Sequence, residues 1–260
     1  MPHRDAHLNL IDSSRQLFGL DPGAEIEVGG GWVFGAGRSP HPVISNAAFR
    51  TDDQLDPGEL VERARAFFSS RERGFALWAR DGVAEDRGLI DAAEAAGLNE
   101  VYAMPQMVLD RRVEELPLPA GVELRRVVSA SDAADYWEVA TGAYAGIGFP
   151  PEVFAFYDSR DGLTAGNAAA FVADLDGRPA AIAMTIVSHG VAGIYWVGSS
   201  DDARGRGLGW TVTATAVDAG FDLGAEIASL QASPMGEPLY RRMGFETIFN
   251  YELLMCPPPD

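Results

Sequence analysis

Hydrophobic and polar positions along the chain follow two periods, and their order predicts the elements. In residues 1–25 the apolar positions Leu8, Leu10, Ile11, Leu17 and Phe18 suggest one short helix. The stretch Gly29–Gly37, with Trp32, Val33 and Phe34 at its centre, reads as a strand between glycine-rich turns, and Ser45–Arg50 as a second strand. Asp56, Pro57 and Glu59 then form a helix start: a capping carboxylate, a proline at the first helical position and an acid three residues after the cap. The stripe Leu60, Val61, Ala64, Phe67 and Phe68 recurs at helical spacing behind it. A strand at Gly74–Ala79, an alanine-rich helix over Arg87–Ala96 stopped by Gly97, and a strand at Val101–Leu109 follow.

Residues 110–120 mix charge with Pro117 and Pro119 and read as a linker. Beyond it, Val122–Val128 is predicted as a strand, and Ser129 with Asp132 announces a helix carrying Ala133, Tyr136, Trp137, Ala140 and Tyr144. Pro150, Pro151 and Glu152 open a short helix with Val153, Phe154, Phe156 and Tyr157. Ala169–Leu175, Pro179–Val187 and Val191–Val197 form an antiparallel meander turned by Asp176-Gly177 and His189-Gly190. A glycine-rich segment, a helix over Gly207–Leu223, a strand over Glu226–Ala232, a short helix over Met235–Met243 and a strand over Thr247–Leu254 complete the pattern. Strands first, then a β-α-β-α-β run, imply a mixed sheet with helices on both faces.

Composition narrows the function classes. With 47% hydrophobic and 22% charged residues, the chain has an ordinary globular make-up, and 260 residues allow one or two domains. Thirty-eight acidic residues against 20 basic ones give a net charge of −18, which argues against nucleic acid and anionic membranes as partners. All basic residues are Arg, so a lysine Schiff base and a P-loop lysine are excluded. The single Cys256 excludes an intramolecular disulfide and a cysteine zinc cluster, and four scattered His give metal binding no support. No apolar run approaches the ~20 residues of a membrane span, and no signal peptide opens the chain, so a cytoplasmic location is expected.

The chemistry concentrates at Asp201–Trp210, after a strand and before a helix. Gly205, Gly207 and Gly209 let the backbone turn tightly and approach a ligand without Cβ atoms. The next helix aims its first N–H groups and its positive dipole end at that turn, which suits a diphosphate. Arg204 and Arg206 add local positive charge. A dinucleotide fingerprint fails because Trp210 stands at the third glycine position.

Arg204, Gly207 and Gly209 match the Arg/Gln-x-x-Gly-x-Gly/Ala turn of acyl-coenzyme A-dependent transferases. One helix and one strand later, Leu239, Tyr240, Gly244 and Phe245 match a Leu-Tyr-x-x-x-Gly-Phe signature. Together these segments resemble the GNAT superfamily of N-acetyltransferases, clearly so over about residues 122–255. The resemblance implies an α+β fold with a mixed, mostly antiparallel sheet and helices on both faces. Residues 1–115 look like a degenerate copy lacking both motifs, and residues 121–260 like the acetyl-CoA-binding domain, giving two tandem halves.

The resemblance also implies roles. Acetyl-CoA, the expected cosubstrate, would enter where two strands splay, its pantetheine arm against Val197, Gly198 and Ser199. The amides of Gly205, Arg206, Gly207, Leu208, Gly209 and Trp210 would hold the pyrophosphate. Ser233 stands where relatives often carry Asn, and Gly236 where they carry Ala. Tyr240 matches the tyrosine that protonates the departing thiolate. The carboxylate base of many relatives is missing from Gly193–Val197; His189, a water chain or an amine of low pKa are the alternatives. Glu152 and Asp158 are candidates for a cationic substrate, and Tyr136, Trp137, Tyr144, Phe149, Phe154, Phe156 and Tyr157 gather where relatives form the acceptor site.

The reading is an acetyl-CoA-dependent N-acetyltransferase acting on a primary amine of a small molecule, with homodimer formation left open. Its rival is a catalytically weak acyl-CoA sensor or interaction module on the same fold, suggested by the missing strand carboxylate.

Overall fold

The computed structural model describes residues 2–114, 116–146, 148–154 and 160–259. In chain order the elements are α1 (Pro2–Phe18), β1 (Glu25–Val28), β2 (Trp32–Ala36), β3 (Asn46–Arg50), α2 (Pro57–Ser69), β4 (Phe75–Asp81), α3 (Arg87–Ala95), β5 (Asn99–Leu109), β6 (Val122–Arg126) and α4 (Ala130–Ala145). They continue with β7 (Ala168–Leu175), β8 (Arg178–Ser188), β9 (Val191–Ser199), α5 (Leu208–Asp222), β10 (Ile227–Gln231), α6 (Glu237–Met243) and β11 (Glu246–Cys256). Among the described residues no helix is long and apolar enough to cross a membrane.

The contacts divide the chain into two compact units. One holds Ser14–Gln106 with Thr247–Asp260, the other Met1–Ser13 with Met107–Glu246. This contact grouping is not the division into 1–115 and 121–260 expected from sequence, and it does not test that division. The last strand belongs with the first half because its side chains and edge fit there. β11 pairs antiparallel with β4 from Phe75↔Cys256 to Asp81↔Asn250. Tyr251 and Leu254 on it are fully buried, and the Tyr251 ring meets Trp78 edge-on at 5.4 Å. Strand partners are set by edge and face complementarity, which local periodicity does not report. α1 is also longer than the short helix expected. Its polar Asn9 and Ser13 break the apolar stripe, yet both are fully buried.

In the Ser14–Gln106 unit, β1, β2 and β3 run antiparallel, and β3 lies parallel to β4. α2 starts as its cap predicts: Asp56 Oδ1 accepts the Glu59 amide at 2.9 Å, with Pro57 in the first turn. Its face Leu60, Val61, Ala64, Phe67 and Phe68 is buried, and Phe68 stacks on Phe75 at 4.5 Å.

In the Met107–Glu246 unit, β7 to β9 form the predicted meander, β6 pairs antiparallel with β7, and β10 runs parallel to β9. Both two-residue turns place a non-glycine followed by a glycine in the left-handed region: Asp176 (φ 52°) with Gly177 (77°), and His189 (53°) with Gly190 (72°). α5 buries Leu208, Val212, Ala216 and Val217 with Ala192, Ile194 and Leu230, and α4 packs on β8 and β9 through Tyr136, Trp137 and Ala140. Pro151–Val153 forms one short 3₁₀ turn; residues 155–159, where the reading continues that helix, lie outside the described residues.

The start of α4 is a reciprocal cap. Ser129 Oγ accepts the Asp132 amide at 3.1 Å, and Asp132 Oδ2 accepts the amides of Ser129 (2.8 Å) and Val128 (3.0 Å). Arg125 joins Asp132, Asp135 and Asp174 at 2.6–2.7 Å. The Ser129 hydroxyl, the Val128 amide and Arg125 hold the Asp132 carboxyl down to about 2. Because that value lies below the ordinary 3.8, the stabilisation is present above pH 3.8 and is lost as pH falls through 2. Ser129→Ala is expected to cost about 1 kcal/mol at pH 7. Urea unfolding of wild type and variant should show that difference at pH 7 and a smaller one near pH 2.

Candidate functional site

β9 and β10 diverge within the sheet. They pair only at Val191↔Ile227, Ala192↔Ala228 and Gly193↔Ser229, while β9 continues to Ser199 and β10 ends at Gln231. The far end of β9 therefore presents an edge with no β10 beside it. Ser200 N–H donates to the Ala180 carbonyl of β8 at 2.8 Å. Strand alternation then turns the N–H of Gly198 toward β8 and that of Ser199 toward the open edge. Gly198 itself lies under α4, where an added Cβ would stand 2.8 Å from the Ala143 Cβ.

A bulge shapes this edge. Met184 pairs with Tyr195 and Ile182 with Gly198, so Trp196 and Val197 oppose Ala183 alone. Trp196 has φ of 51°, a conformation costing a bulky side chain about 1–3 kcal/mol. The bulge delivers its ring into an aromatic group from α4 and the 3₁₀ turn after it. The ring centroids lie 5.2 Å from Tyr144 and from Phe154, and 6.4 Å from Trp137. The Tyr136 and Tyr144 hydroxyls reach 3.5 Å from the carbonyl oxygens of Trp196 and Val197. Trp137, Tyr144 and Phe154 of the aromatic set named from sequence thus surround Trp196, which the reading treated only as part of a strand. The only advance signal for it was its place before Gly198 and Ser199. Phe156, Tyr157 and Asp158 lie outside the described residues, as does the side chain of Glu152.

After β9, a short turn at Asp201–Ala203 leads into the glycine segment. Gly205 and Gly207 have φ of 75° and 85°, and Gly207 caps α5 with no side chain of its own. Among the described residues, the backbone amides of Gly205, Arg206, Gly207, Leu208, Gly209 and Trp210 donate to no protein acceptor; the first bonded amide is that of Thr211, to the Gly207 carbonyl at 3.2 Å. Six consecutive donors at the positive end of a helix have the chemistry that suits an anion. The side chains brace the turn. Leu208 is buried, a Cβ added at Gly209 would stand 3.3 Å from the Leu239 side chain, and the Trp210 indole N–H donates to the Glu114 carbonyl at 3.3 Å. Arg204 is exposed and pairs with Asp201 at 2.8 Å. Arg206 lines a cavity of about 450 Å³ with Glu138, Arg178 and Asp202.

Ser233 follows β10, and its Oγ accepts the Gly236 amide at 3.1 Å, shaping the turn into α6. Pro238 sits in the first turn of α6, where no amide is needed. Tyr240 is 7% exposed, with its ring against Phe245 at 6.0 Å and so close to Gly236 that an added Cβ there would stand 2.8 Å away. Burial raises its hydroxyl well above the ordinary tyrosine range, so it stays protonated. His189, a candidate base, sits at the opposite end of β9 from the bulge and pairs with Asp12 at 2.8 Å. Cys256 lies in the other unit, on β11.

The first half holds an equivalent turn with opposite electrostatics. β3 and β4 are parallel, as β9 and β10 are, and α2 connects them as α5 does. There the turn is closed by its own groups. The amides of Thr51 and Asp52 donate to the Gly31 carbonyl, that of Gln54 to the Asp52 carboxylate and that of Glu59 to Asp56. Pro57 brings no amide at all, the Asp52 and Asp56 carboxylates occupy amides of the turn itself, and Asp53 pairs with Arg80 at 2.7 Å. Arg50 and Arg80 at the strand ends are taken up by Asp86, with 3.6 and 2.7 Å contacts.

Comparison with known proteins agrees with this geometry. Residues 109–233 match the family described as the acetyltransferase (GNAT) domain. No curated protein matches the sequence. Among solved structures, a GCN5-related N-acetyltransferase from Kribbella flavida superposes with a TM-score of 0.72 at 23% identity, over 96% of this chain and 95% of that one. One from Sphaerobacter thermophilus gives 0.66 at 15% identity, over 100% and 94%. A tandem GNAT protein from the clavulanic acid biosynthesis pathway gives 0.62 at 15% identity, over 96% of both chains. The chain thus has the mixed, mostly antiparallel GNAT fold in its tandem form, and residues 109–233 carry the sequence match to the GNAT acetyltransferase domain.

Proposed function

We propose that the protein transfers an acetyl group from acetyl-CoA to a primary amine of a small molecule. The observation that carries this reading is the run of six undonated amides at 205–210 beside the open edge of β9. The residues fit the ligand's chemistry. A diphosphate accepts from several main-chain donors at once, and the free edge of Val197–Ser199 suits the amide-bearing pantetheine arm. Ser233, whose Oγ already accepts from Gly236, retains its O–H to donate to that arm.

The chemistry then needs three steps from this chain. The N–H of Ser199, on the open edge, polarises the thioester carbonyl. A neutral amine attacks the carbonyl carbon, forming the C–N bond as the C–S bond breaks. Tyr240 donates its proton to the departing sulfur and recovers one from the ammonium through water. β9 carries no carboxylate, so the amine reaches the site neutral or loses its proton to solvent. That same lack favours the second reading, an acyl-CoA sensor, which binds the cosubstrate and turns nothing over.

Calorimetric titration with acetyl-CoA should show one site per chain, because the first-half turn is satisfied by its own carboxylates. Two sites per chain would refute the closure of that turn; no heat at millimolar ligand would refute the reading. Incubation with pooled amines and acetyl-CoA, followed by mass spectrometry, should reveal an amine heavier by one acetyl group.

A further inference from the structure

The left-handed Trp196 survives only where its surroundings over-determine it. The Tyr136 and Tyr144 hydroxyls constrain its following carbonyls. A second constraint comes from the beginning of the chain. Asn9, in α1, is fully buried. Its Nδ2 donates to the Ile186 carbonyl (3.1 Å), the Val191 carbonyl (3.0 Å) and Ser188 Oγ (3.0 Å). Its Oδ1 accepts the Tyr195 hydroxyl at 2.7 Å. Gly193 makes the room, since a Cβ there would overlap both Asn9 Oδ1 and the Tyr195 side chain. Gly193 is also the last β9 residue paired with β10, and Tyr195 immediately precedes the bulge. One side-chain amide thus ties the closed end of the hairpin to the residue from which the open edge departs. At the next turn of α1, Asp12 meets His189 at 2.8 Å, a second tie to the same hairpin.

We infer that Asn9, acting through Tyr195, is a positioning residue for the thioester end of the acetyl-CoA seat: it fixes β9 so that the bulge presents Val197–Ser199 to the pantetheine arm. This rests on the acetyl-CoA reading. The diphosphate seat at 205–210 is built from other residues and does not depend on the tie.

That separation gives the experiment. Tyr195→Phe removes one hydroxyl, and Asn9→Ala removes the whole tie; the phenylalanine variant keeps the test alive if the alanine variant does not fold. Calorimetry on the full chain compares acetyl-CoA with 3′-phosphoadenosine 5′-diphosphate, which lacks the pantetheine arm. Both variants should bind acetyl-CoA about threefold to tenfold more weakly, with the nucleotide changed less than twofold. Equal weakening of both ligands would mean that Asn9 only supports the fold, and unchanged affinity for both would mean that the tie does not bear on the seat; either overturns the inference. A wild-type chain that ignores both ligands overturns the acetyl-CoA reading itself.

Discussion

Gly207→Asp should abolish acetyl-CoA binding, raising Kd at least 100-fold while the chain still folds. Gly207 caps α5 at φ 85°, between amides that donate to no acceptor among the described residues. An aspartate tolerates the left-handed region at a cost of about 1 kcal/mol. Its carboxylate, however, would stand where the diphosphate belongs. A like charge about 4 Å away in partly screened surroundings opposes binding by roughly 4 kcal/mol, and 100-fold corresponds to about 2.7 kcal/mol. Nature has placed the same device in the first half, where Asp56 caps α2 from its own side chain. Titration with acetyl-CoA, alongside a thermal melt, checks both parts. Binding within tenfold of wild type would show that the turn is not the diphosphate seat.

Tyr240→Phe should separate binding from chemistry. The hydroxyl makes no hydrogen bond among the described residues, so its removal leaves the ring packing on Phe245 and the fold intact. Acetyl-CoA affinity should stay within twofold. Turnover should fall about 100-fold, the low end for loss of a positioned general acid. Burial raises the phenol, so the proton is present throughout the range in which an amine is neutral. Rates should therefore not decline between pH 8 and 10 through ionisation of Tyr240. An unchanged kcat in the phenylalanine variant would exclude the tyrosine as acid and favour the sensor reading.

Much of the fold was legible because its signals are local. Asp56 with Glu59 and Ser129 with Asp132 cap helices through side chains three residues away. Asp176-Gly177 and His189-Gly190 adopt the turn conformations their types favour. The glycine turn before α5 was legible for the same reason, since glycine freedom and a helix start are written in adjacent residues. What escaped depends on partners distant in sequence. β1 is a short, exposed strand whose pattern carries no buried face. Asn9 reads as a break in an apolar stripe until the hairpin 177 residues away supplies its acceptors. The bulge at Trp196 follows from a register shift between β8 and β9, which no single strand encodes. The base stayed illegible because β9 holds no carboxylate to mark it.

The placement of β11 bears on how the chain is made. Seven residue pairs join β11 to β4, yet 168 positions separate Asp81 from Asn250 where that ladder begins. A ribosome delivers the Ser14–Gln106 segment well before its closing strand. The half synthesised first must therefore wait, one edge uncovered, until residues 250–256 have emerged, while Met107–Glu246 can complete its own core sooner.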